Sequence, residues 1–279
     1  MARIVLLTTA PYKGLAETSG FFNEVWTVGR PGITNIPAWV DLRRRLVRGG
    51  FSRVYDLQTS DRSSFYRRLF WPGPMPEWSG IARYCSHPHD NPQRDTLHTI
   101  ERQVEQLGAA GITVVPPSNL GSLNLKGLGD CSRFGIVGDY VLLAPLGAAR
   151  RPRKRWPSSC FAAIAKILSE KNVTPVLLGT EAERATIDAI AAECPRARNL
   201  AGETSLMDLV SLSFGATAAV GNDTGPMHIS ALAGCSSVVL FSNDSDPGIC
   251  GQRGPSVTIL QRDKLVDISI AEVVDALAL

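Results

Sequence analysis

The second half of the chain alternates short apolar runs with longer segments in which apolar residues recur every three or four positions. The short runs predict strands over residues 140–145, 174–178, 216–220, 238–242 and 257–260. The longer segments predict helices over residues 158–170, 181–193, 205–214 and 269–278, with one more helix directly after residue 224. Strands that alternate with helices through short connections favour a parallel sheet with helices on both faces.

The first half is less regular. We predict strands over residues 4–8, 24–27 and 53–57, and helices over residues 37–48, 61–70 and 95–107. Asp61 and Asp95 are the expected N-terminal caps of the last two helices. Residues 116–139 are rich in Gly and Ser and lack periodicity, which predicts a linker between two domains, residues 1–138 and 139–279.

Composition indicates a globular protein that works inside the cell. Of 279 residues, 44% are hydrophobic and 20% are charged. Residues 224–243 carry no charge, but Gly225-Pro226 and Gly234 divide them into a helix and a strand, so we reject a membrane span. The N-terminus lacks the pattern of a secretory signal, and the six cysteines form no CxxC pair. We therefore expect free thiols and a cytoplasmic location.

The positive charge is concentrated early. Residues 1–139 carry 16 basic and 12 acidic side chains, and four of the arginines are Arg43, Arg44, Arg45 and Arg48. A basic helix face there could contact anionic lipid or a phosphorylated acceptor, or it could simply be solvated. We do not expect nucleic-acid binding, because the net charge of +3 is small and few aromatic residues lie among the basic ones.

The sequence GNDTGPMH at residues 221–228 predicts a strand, a tight turn and a helix. Pro226 suits the first helical position, and the N–H groups of Met227 and His228 would then point out of the helix end. Such an end binds phosphate or another anion, with Asp223 and Thr224 beside it. The alternative is an ordinary capped turn between a strand and a helix.

Three further segments accompany this run: APLGA at residues 144–148, KRWP at 154–157 and FSNDSDP at 241–247. Together they resemble glycosyltransferase family 9, the lipopolysaccharide heptosyltransferases. The resemblance implies an α/β, GT-B-like fold in which two Rossmann-like, doubly wound domains face a cleft. It also implies that a sugar is transferred from a nucleotide-diphosphate donor, usually ADP-heptose, to a lipopolysaccharide-type acceptor, without metal and with inversion. The resemblance places this reaction at the cytoplasmic face of the inner membrane, with peripheral membrane contact.

The resemblance assigns the donor side to the second half. The departing diphosphate gains negative charge, so fixed cations and N–H donors are most effective beside it. Lys154 matches the family's lysine before Trp-Pro, and Arg155 is the second candidate. The remaining phosphate-side candidates are Asp223, Thr224, Gly225, Met227 and His228.

The nucleoside candidates follow the next strands. The Glu181 carboxylate could accept bonds from the ribose hydroxyls, and Leu206 and Met207 could line the adenine. The alternatives are an acidic residue that favours a helix dipole for Glu181 and ordinary core positions for the other two.

On the acceptor side, residues 56–62 resemble a family loop that enters a helix. Within it we expect Gln58 and Arg62 to face the acceptor, and we expect the same of His87 and His89. Asp56 and Asp61 are the candidate substitute bases on this side, and of the two Asp61 is favoured instead as an N-cap. A buried Asp56 would require a raised pKa for that role.

Family members open with a strand, a Gly-Asp loop and a helix, and the loop Asp is thought to be the general base. This chain opens with what resembles the family's second strand, so we expect roughly thirty residues and that base to be absent. Three hypotheses follow: a glycosyltransferase with a substitute base, a catalytically impaired nucleotide-sugar-binding protein, and, less favoured, a nucleotide-sugar epimerase.

Two segments contain metal-type ligands. One is Asp244-Ser245-Asp246, and the other joins Cys85, His87 and His89 with His98 nearby. Zinc usually requires a second pair at matched spacing, which is missing here. We therefore expect no metal and no other cofactor.

Overall fold

The computed structural model describes residues 2–122, 131–147 and 150–278. The chain forms two compact units: the larger contains Met1–Thr27 and Ser118–Leu279, and the smaller contains Val28–Pro117. Residues 123–130 of the predicted linker lie outside the described residues, as does Ala148 of the APLGA segment. The division into domains 1–138 and 139–279 stays a prediction.

The larger unit begins with a β–α–β segment. Strands β1 (Val5–Thr8) and β2 (Glu24–Thr27) pair in parallel, with Val5 opposite Glu24, and helix α1 (Lys13–Thr18) connects them. Both strands were predicted, β2 with the same bounds, and α1 was not. A parallel pair needs such a crossover because its strands run in the same direction.

The smaller unit is built on a three-stranded parallel sheet in the order β3-β4-β5. Helix α4 packs on this sheet through the buried Gln106, whose Nε2 donates to the carbonyl oxygens of Asp56 (3.0 Å) and Ser79 (3.3 Å) at the ends of β3 and β4. The elements are α2 (Ile36–Arg48), β3 (Arg53–Tyr55), α3 (Asp61–Tyr66), β4 (Glu77–Gly80), β5 (His87–Pro88) and α4 (Thr99–Ala109).

Both predicted caps in this unit were wrong. Ser60 caps α3, because its hydroxyl accepts from the Ser63 N–H in a capping box, and Asp61 is the first helical residue. Helix α4 begins at Thr99, and His98 Nδ1 accepts from the Ile100 N–H at 3.2 Å. Asp95 instead lies in a preceding 3₁₀ turn. Strands β4 (EWSG) and β5 (HP) were not predicted, since neither contains a run of apolar residues.

The predicted alternation in the second half is confirmed. Six strands of the larger unit form one parallel sheet in the order β11-β10-β9-β6-β7-β8. The strands are β6 (Tyr140–Ala144), β7 (Thr174–Leu177), β8 (Arg198–Asn199), β9 (Ala218–Asn222), β10 (Ser236–Ser242) and β11 (Val257–Arg262). The helices are α5 (Ser158–Glu170), α6 (Arg184–Ala192), α7 (Leu206–Gly215), α8 (Gly225–Leu232), α9 (Pro247–Cys250) and α10 (Ile270–Leu277).

Alternate residues of the central strands pack on opposite faces of this sheet. Val141 and Leu143 of β6 belong to one buried cluster with Trp156 and with residues of α5, α6 and α10. Leu142 belongs to a second cluster with residues of α7 and with Met227 of α8. The sheet is therefore buried on both faces, as parallel sheets require.

No helix within the described ranges combines the length and the apolar character that are needed to cross a lipid bilayer.

Gly221 of β9 lies opposite Ala144 of β6. A Cβ atom there would be 2.7 Å from Ala144 Cβ and 2.8 Å from Met227 Sδ, whereas a Cβ on Gly225 would meet no atom within 4 Å. We predict that Gly221→Ala lowers the free energy of unfolding by about 1–3 kcal/mol through overpacking. Gly225→Ala, four residues away, should change it by less than about 0.5 kcal/mol. Urea denaturation of both variants checks this, and equal stabilities would contradict it.

Candidate functional site

The candidate donor site lies at the carboxyl edge of the six-stranded sheet. From β6 the chain proceeds to β7 and β8 on one side, and from β9 it proceeds to β10 and β11 on the other. The boundary between β6 and β9 is therefore the topological switch point, where open parallel sheets bind ligands. The predicted phosphate segments at residues 154–157 and 221–228 follow these two strands.

The Asn222 side chain joins the ends of these two strands. It is fully buried, its Nδ2 donates to the Pro145 carbonyl oxygen at 2.7 Å, and its Oδ1 accepts from the Trp156 N–H at 3.0 Å. Both polar groups of the amide are thus satisfied by backbone. Pro145 and Trp156 lie at the two ends of the connection that follows β6. Asn222 therefore fixes both ends of this connection to the end of β9.

Asp223 holds Lys154 across the switch point. Lys154 Nζ lies 2.8 Å from Asp223 Oδ2, and the two side chains are only 12% and 11% exposed. Ser245 Oγ also donates to Oδ2 (3.0 Å), and Gln252 Nε2 donates to Oδ1 (3.2 Å). Burial alone would raise the pKa of Asp223, but Lys154, Ser245 and Gln252 together outweigh it and hold the pKa below its ordinary value.

Thr224 is the N-cap residue of α8, and its hydroxyl makes no hydrogen bond within the helix end. In the described part of the chain, the buried Thr224 Oγ1 has no hydrogen-bond partner at all. Pro226 occupies the second helical position and not the first, and the His228 N–H already bonds the Thr224 carbonyl at 3.4 Å. The predicted His228 N–H is therefore already used within the helix, and the helix end gains one uncommitted hydroxyl.

The remaining cations beside the site are already oriented. Arg155 donates to the Gly147 carbonyl oxygen and lies 3.7 Å from a Glu183 carboxylate oxygen. Arg153 forms a 2.9 Å ion pair with Asp244, which engages one of the two carboxylates of the Asp-Ser-Asp segment. The other, Asp246, caps α9 by accepting from the Gly248 N–H at 2.7 Å.

Glu181 lies in a 3₁₀ turn after β7 and forms an ion pair with Arg184 at 2.9 Å, while remaining 71% exposed. The Arg184 hydrogen bond is the main reason that the pKa of Glu181 lies below its ordinary value.

Leu206 and Met207 form the first turn of α7, and both are half-buried. Helix α1 contacts α7 here, since a Cβ on Gly14 would be 3.7 Å from Met207 Cγ. The nucleoside roles of these residues stay predictions.

Asp56 follows β3 in the smaller unit and is 6% exposed. Its Oδ1 accepts from the Thr59 N–H at 3.1 Å. Burial raises the pKa of this carboxyl group, and the hydroxyls of Ser63 and Ser64 and nearby N–H groups offset only part of the increase. A buried carboxyl group with a raised pKa at the end of a parallel strand has the property that a general base requires.

The other acceptor-side candidates do not form one cluster. Gln58 is exposed, and the exposed Arg62 donates to the Pro31 carbonyl oxygen at 3.2 Å. His87 lies in β5, with its Nε2 3.6 Å from a Glu77 carboxylate oxygen. His89 is buried (5% exposed), and its Nε2 lies 3.6 Å from a Glu105 carboxylate oxygen.

Neither of the two segments with metal-type ligands brings those side chains together as a metal site. Throughout the ranges that the structure describes, no group of three or more His, Cys, Asp or Glu side chains is arranged to hold a metal ion. Metal independence stays a prediction.

The family model of glycosyltransferase family 9 (heptosyltransferase) matches residues 39–265, which is more than half of the chain. The chain belongs to glycosyltransferase family 9. The resemblance seen in the sequence is thereby confirmed.

Two curated relatives match a segment of this family-9 chain. Lipopolysaccharide heptosyltransferase 2 of Salmonella typhimurium is 36% identical over 121 residues, which are 41% of this chain and 35% of the relative. Lipooligosaccharide heptosyltransferase 2 of Haemophilus influenzae is 30% identical over 131 residues, 45% of this chain and again 35% of the relative.

Solved structures support the fold. E. coli ADP-heptose lps heptosyltransferase II superposes with a TM-score of 0.83 at 23% identity, covering 100% of this chain and 89% of that one. E. coli heptosyltransferase WaaC with ADP superposes with a TM-score of 0.76 at 18% identity. The match covers 98% of this chain and 88% of that one. These likenesses confirm the predicted α/β, GT-B-like fold class of the family-9 chain.

The sequence analysis missed three side chains of the candidate donor site: Asn222, which bonds Pro145 and Trp156, and Ser245 and Gln252, which bond Asp223. Gln252 is 3% exposed, and its Oε1 has no hydrogen-bond partner among the described residues. Nothing local identifies it, because its partner is 29 positions away in the chain. A polar residue at the end of a buried strand, as Asn222 is, was the one available signal.

The raised pKa of Asp56 has a consequence for stability. Between its ordinary value of 3.8 and the raised value, the folded state binds a proton that the unfolded state has lost, so Asp56 makes stability decrease as pH rises. We predict that Asp56→Asn is more stable than the parent chain at pH 7 and that this difference disappears near pH 3.

Thermal unfolding at the two pH values measures this effect. Asp41→Asn on the exposed side of α2 is the matched control, since surface substitutions usually stay within about 0.5 kcal/mol. A destabilised Asp56→Asn at pH 7 would contradict the burial argument.

Proposed function

We propose that this chain is a glycosyltransferase of the heptosyltransferase type. It transfers a sugar from a nucleotide-diphosphate donor, ADP-heptose, to a lipopolysaccharide-type acceptor, without metal and with inversion at the anomeric carbon. Family membership supports the reaction class. The substrates are supported by the similarity to lipopolysaccharide heptosyltransferase 2 of Salmonella typhimurium and to E. coli ADP-heptose lps heptosyltransferase II. The observation that carries the proposal is the Lys154–Asp223 pair at the switch point of the larger unit.

Lys154 supplies the fixed charge for the donor diphosphate. As the bond to the anomeric carbon breaks, negative charge grows on the leaving phosphate, and an ammonium group that is already oriented stabilises it without reorganisation. Asp223 is itself an anion and repels phosphate, so we assign it the task of holding Lys154 in place. Arg155, the Thr224 hydroxyl and the backbone of Gly225 and Met227 at the start of α8 complete the phosphate side, with His228 one position further along.

The nucleoside occupies the next positions along the same sheet edge. Glu181 accepts bonds from the ribose hydroxyls, for which it must share its carboxylate with Arg184. Leu206 and Met207 provide apolar contact for the adenine. Their half-burial at the start of α7 supports this assignment, because it leaves apolar surface available.

The acceptor binds on the smaller unit, where Gln58, Arg62, His87 and His89 are the candidates for its polar contacts. Asp56 removes the proton from the attacking hydroxyl, and its raised pKa suits that task near neutral pH. The reaction takes place in the cytoplasm, in peripheral contact with the inner membrane, and the chain divides into an acceptor-side part (1–138) and a donor part (139–279).

The larger unit should bind ADP, and Lys154→Gln should weaken binding about 10- to 100-fold, as expected for loss of a charge-assisted hydrogen bond. Isothermal calorimetry measures this, with Lys171→Gln at the exposed end of α5 as the control. Because the cationic groups are all protein side chains, EDTA should leave the affinity unchanged. No ADP binding by a folded chain, or a requirement for magnesium, would overturn this part of the proposal.

Asp56→Asn should lower turnover by about 10²–10⁴-fold, the usual contribution of a general base, while ADP affinity stays the same. The assay uses ADP-heptose and a lipopolysaccharide core acceptor, with Asp61→Asn in the same loop as the control. Unchanged turnover in Asp56→Asn would place the base elsewhere. ADP binding without any turnover by the parent chain would favour the nucleotide-sugar-binding alternative.

A further inference from the structure

Helix α2 carries apolar side chains on its exposed side as well as on its buried side. Leu42 and Leu46 are buried in the smaller unit, whereas Ile36, Val40 and Val47 are 67%, 39% and 38% exposed. The spacings of four and seven residues place these three on one side of the helix. This exposed stripe is absent from an ordinary surface helix, whose outer face is polar.

Arginines border the stripe on both sides. At about 100° per residue, Arg43 and Arg44 lie on opposite sides of the line through Ile36, Val40 and Val47. Arg44 and Arg48 are exposed, and neither has a carboxylate partner within the part of the chain that the structure describes. Along α2 itself, four arginines (Arg43, Arg44, Arg45 and Arg48) accompany one acidic residue, Asp41, so the helix is strongly positive.

Two exposed aromatic residues extend the same surface. Phe65 is 41% exposed, and its ring centroid lies 5.4 Å from that of Trp39 on α2. Trp71 is 73% exposed, and Arg43 Nη2 lies 3.4 Å from its carbonyl oxygen. Tryptophan beside arginine, next to aliphatic side chains, is the composition of a surface that sits at the boundary between lipid and water.

We propose that the exposed face of α2, together with Phe65 and Trp71, docks on an anionic lipid bilayer. The arginines contact lipid phosphates while their aliphatic stems and the apolar stripe enter the acyl boundary. Nucleic acid would use the arginines but not Ile36, Val40 and Val47. The purpose of docking, access to a membrane-bound acceptor, rests on the proposed function, but docking itself requires neither donor nor acceptor.

Co-sedimentation with vesicles tests the proposal on the full chain. Binding should be strong to 1:1 phosphatidylglycerol–phosphatidylcholine vesicles, weak to pure phosphatidylcholine vesicles, and reduced by 0.5 M salt. Each arginine near an anionic surface contributes about a fivefold factor, so Arg44→Gln/Arg48→Gln should lower partitioning about 25-fold. Ile36→Ser/Val40→Ser should lower it severalfold at all salt concentrations, because it removes the apolar contribution.

Matched double variants on the larger unit serve as controls. Lys171→Gln/Arg196→Gln removes two exposed positive charges, and Val137→Ser/Val266→Ser removes two exposed apolar side chains, so neither should affect binding. Equal losses in test and control variants, or no preference for anionic vesicles, would overturn the proposal. Displacement from vesicles by 10 mM inorganic phosphate would also overturn it, by indicating a phosphate site. Thermal unfolding midpoints check that each variant is folded. Turnover on a water-soluble acceptor does not require docking, so it tests the proposed reaction independently of membrane binding.

Discussion

The carboxyl edge of the six-stranded sheet depends on one ion pair, between Lys154 and Asp223. Removing two charges from water is costly, and a partly buried pair is stable only when its remaining polar capacity is used. Asp223 meets this condition by accepting from Lys154, Ser245 and Gln252, which belong to the connections after β6 and β10. The Asp223 carboxylate therefore stays charged. Through it, three segments that are distant in sequence meet at the switch point between β6 and β9.

Asn222, one residue earlier, makes this arrangement rigid. Its amide is satisfied by two backbone groups at either end of the connection that carries Lys154, so that connection cannot shift without leaving a buried amide unpaired. The neighbouring Gly221 allows β9 to approach Ala144 closely enough for these bonds to form. A preorganised phosphate site requires its positive charge to be in place before charge develops on the leaving group. The Asn222 amide and the Lys154–Asp223 ion pair together meet that requirement.

Sequence patterns predicted the larger unit well and the smaller unit less well, for a physical reason. Strands such as β6 and β9 are buried on both faces and read as continuous apolar runs, whereas β4 and β5 are short and half polar. The locations of Lys154 and Asp223 followed from motifs. Their partners did not, because Ser245 and Gln252 are brought to the site by the order of the strands and not by any local pattern. The cap of α3 was misplaced because Ser60, an equally good cap, directly precedes Asp61. That of α4 was misplaced because the helix begins only at Thr99 and is capped by His98, a residue that N-cap preferences do not favour.

Asp56 and Asp223 each follow a parallel strand, and their surroundings shift their pKa values in opposite directions. Desolvation acts on both, but Asp223 faces a lysine and two further donors that outweigh it, whereas Asp56 faces only hydroxyls and backbone N–H groups that do not. The pKa of Asp223 is therefore lowered and that of Asp56 is raised. A carboxylate that stays ionised is suited to holding a cation, and one whose proton affinity is increased is suited to accepting a proton from a substrate hydroxyl. The same residue type thus supports two distinct tasks, and the neighbours that each strand end gathers decide which task each aspartate can perform.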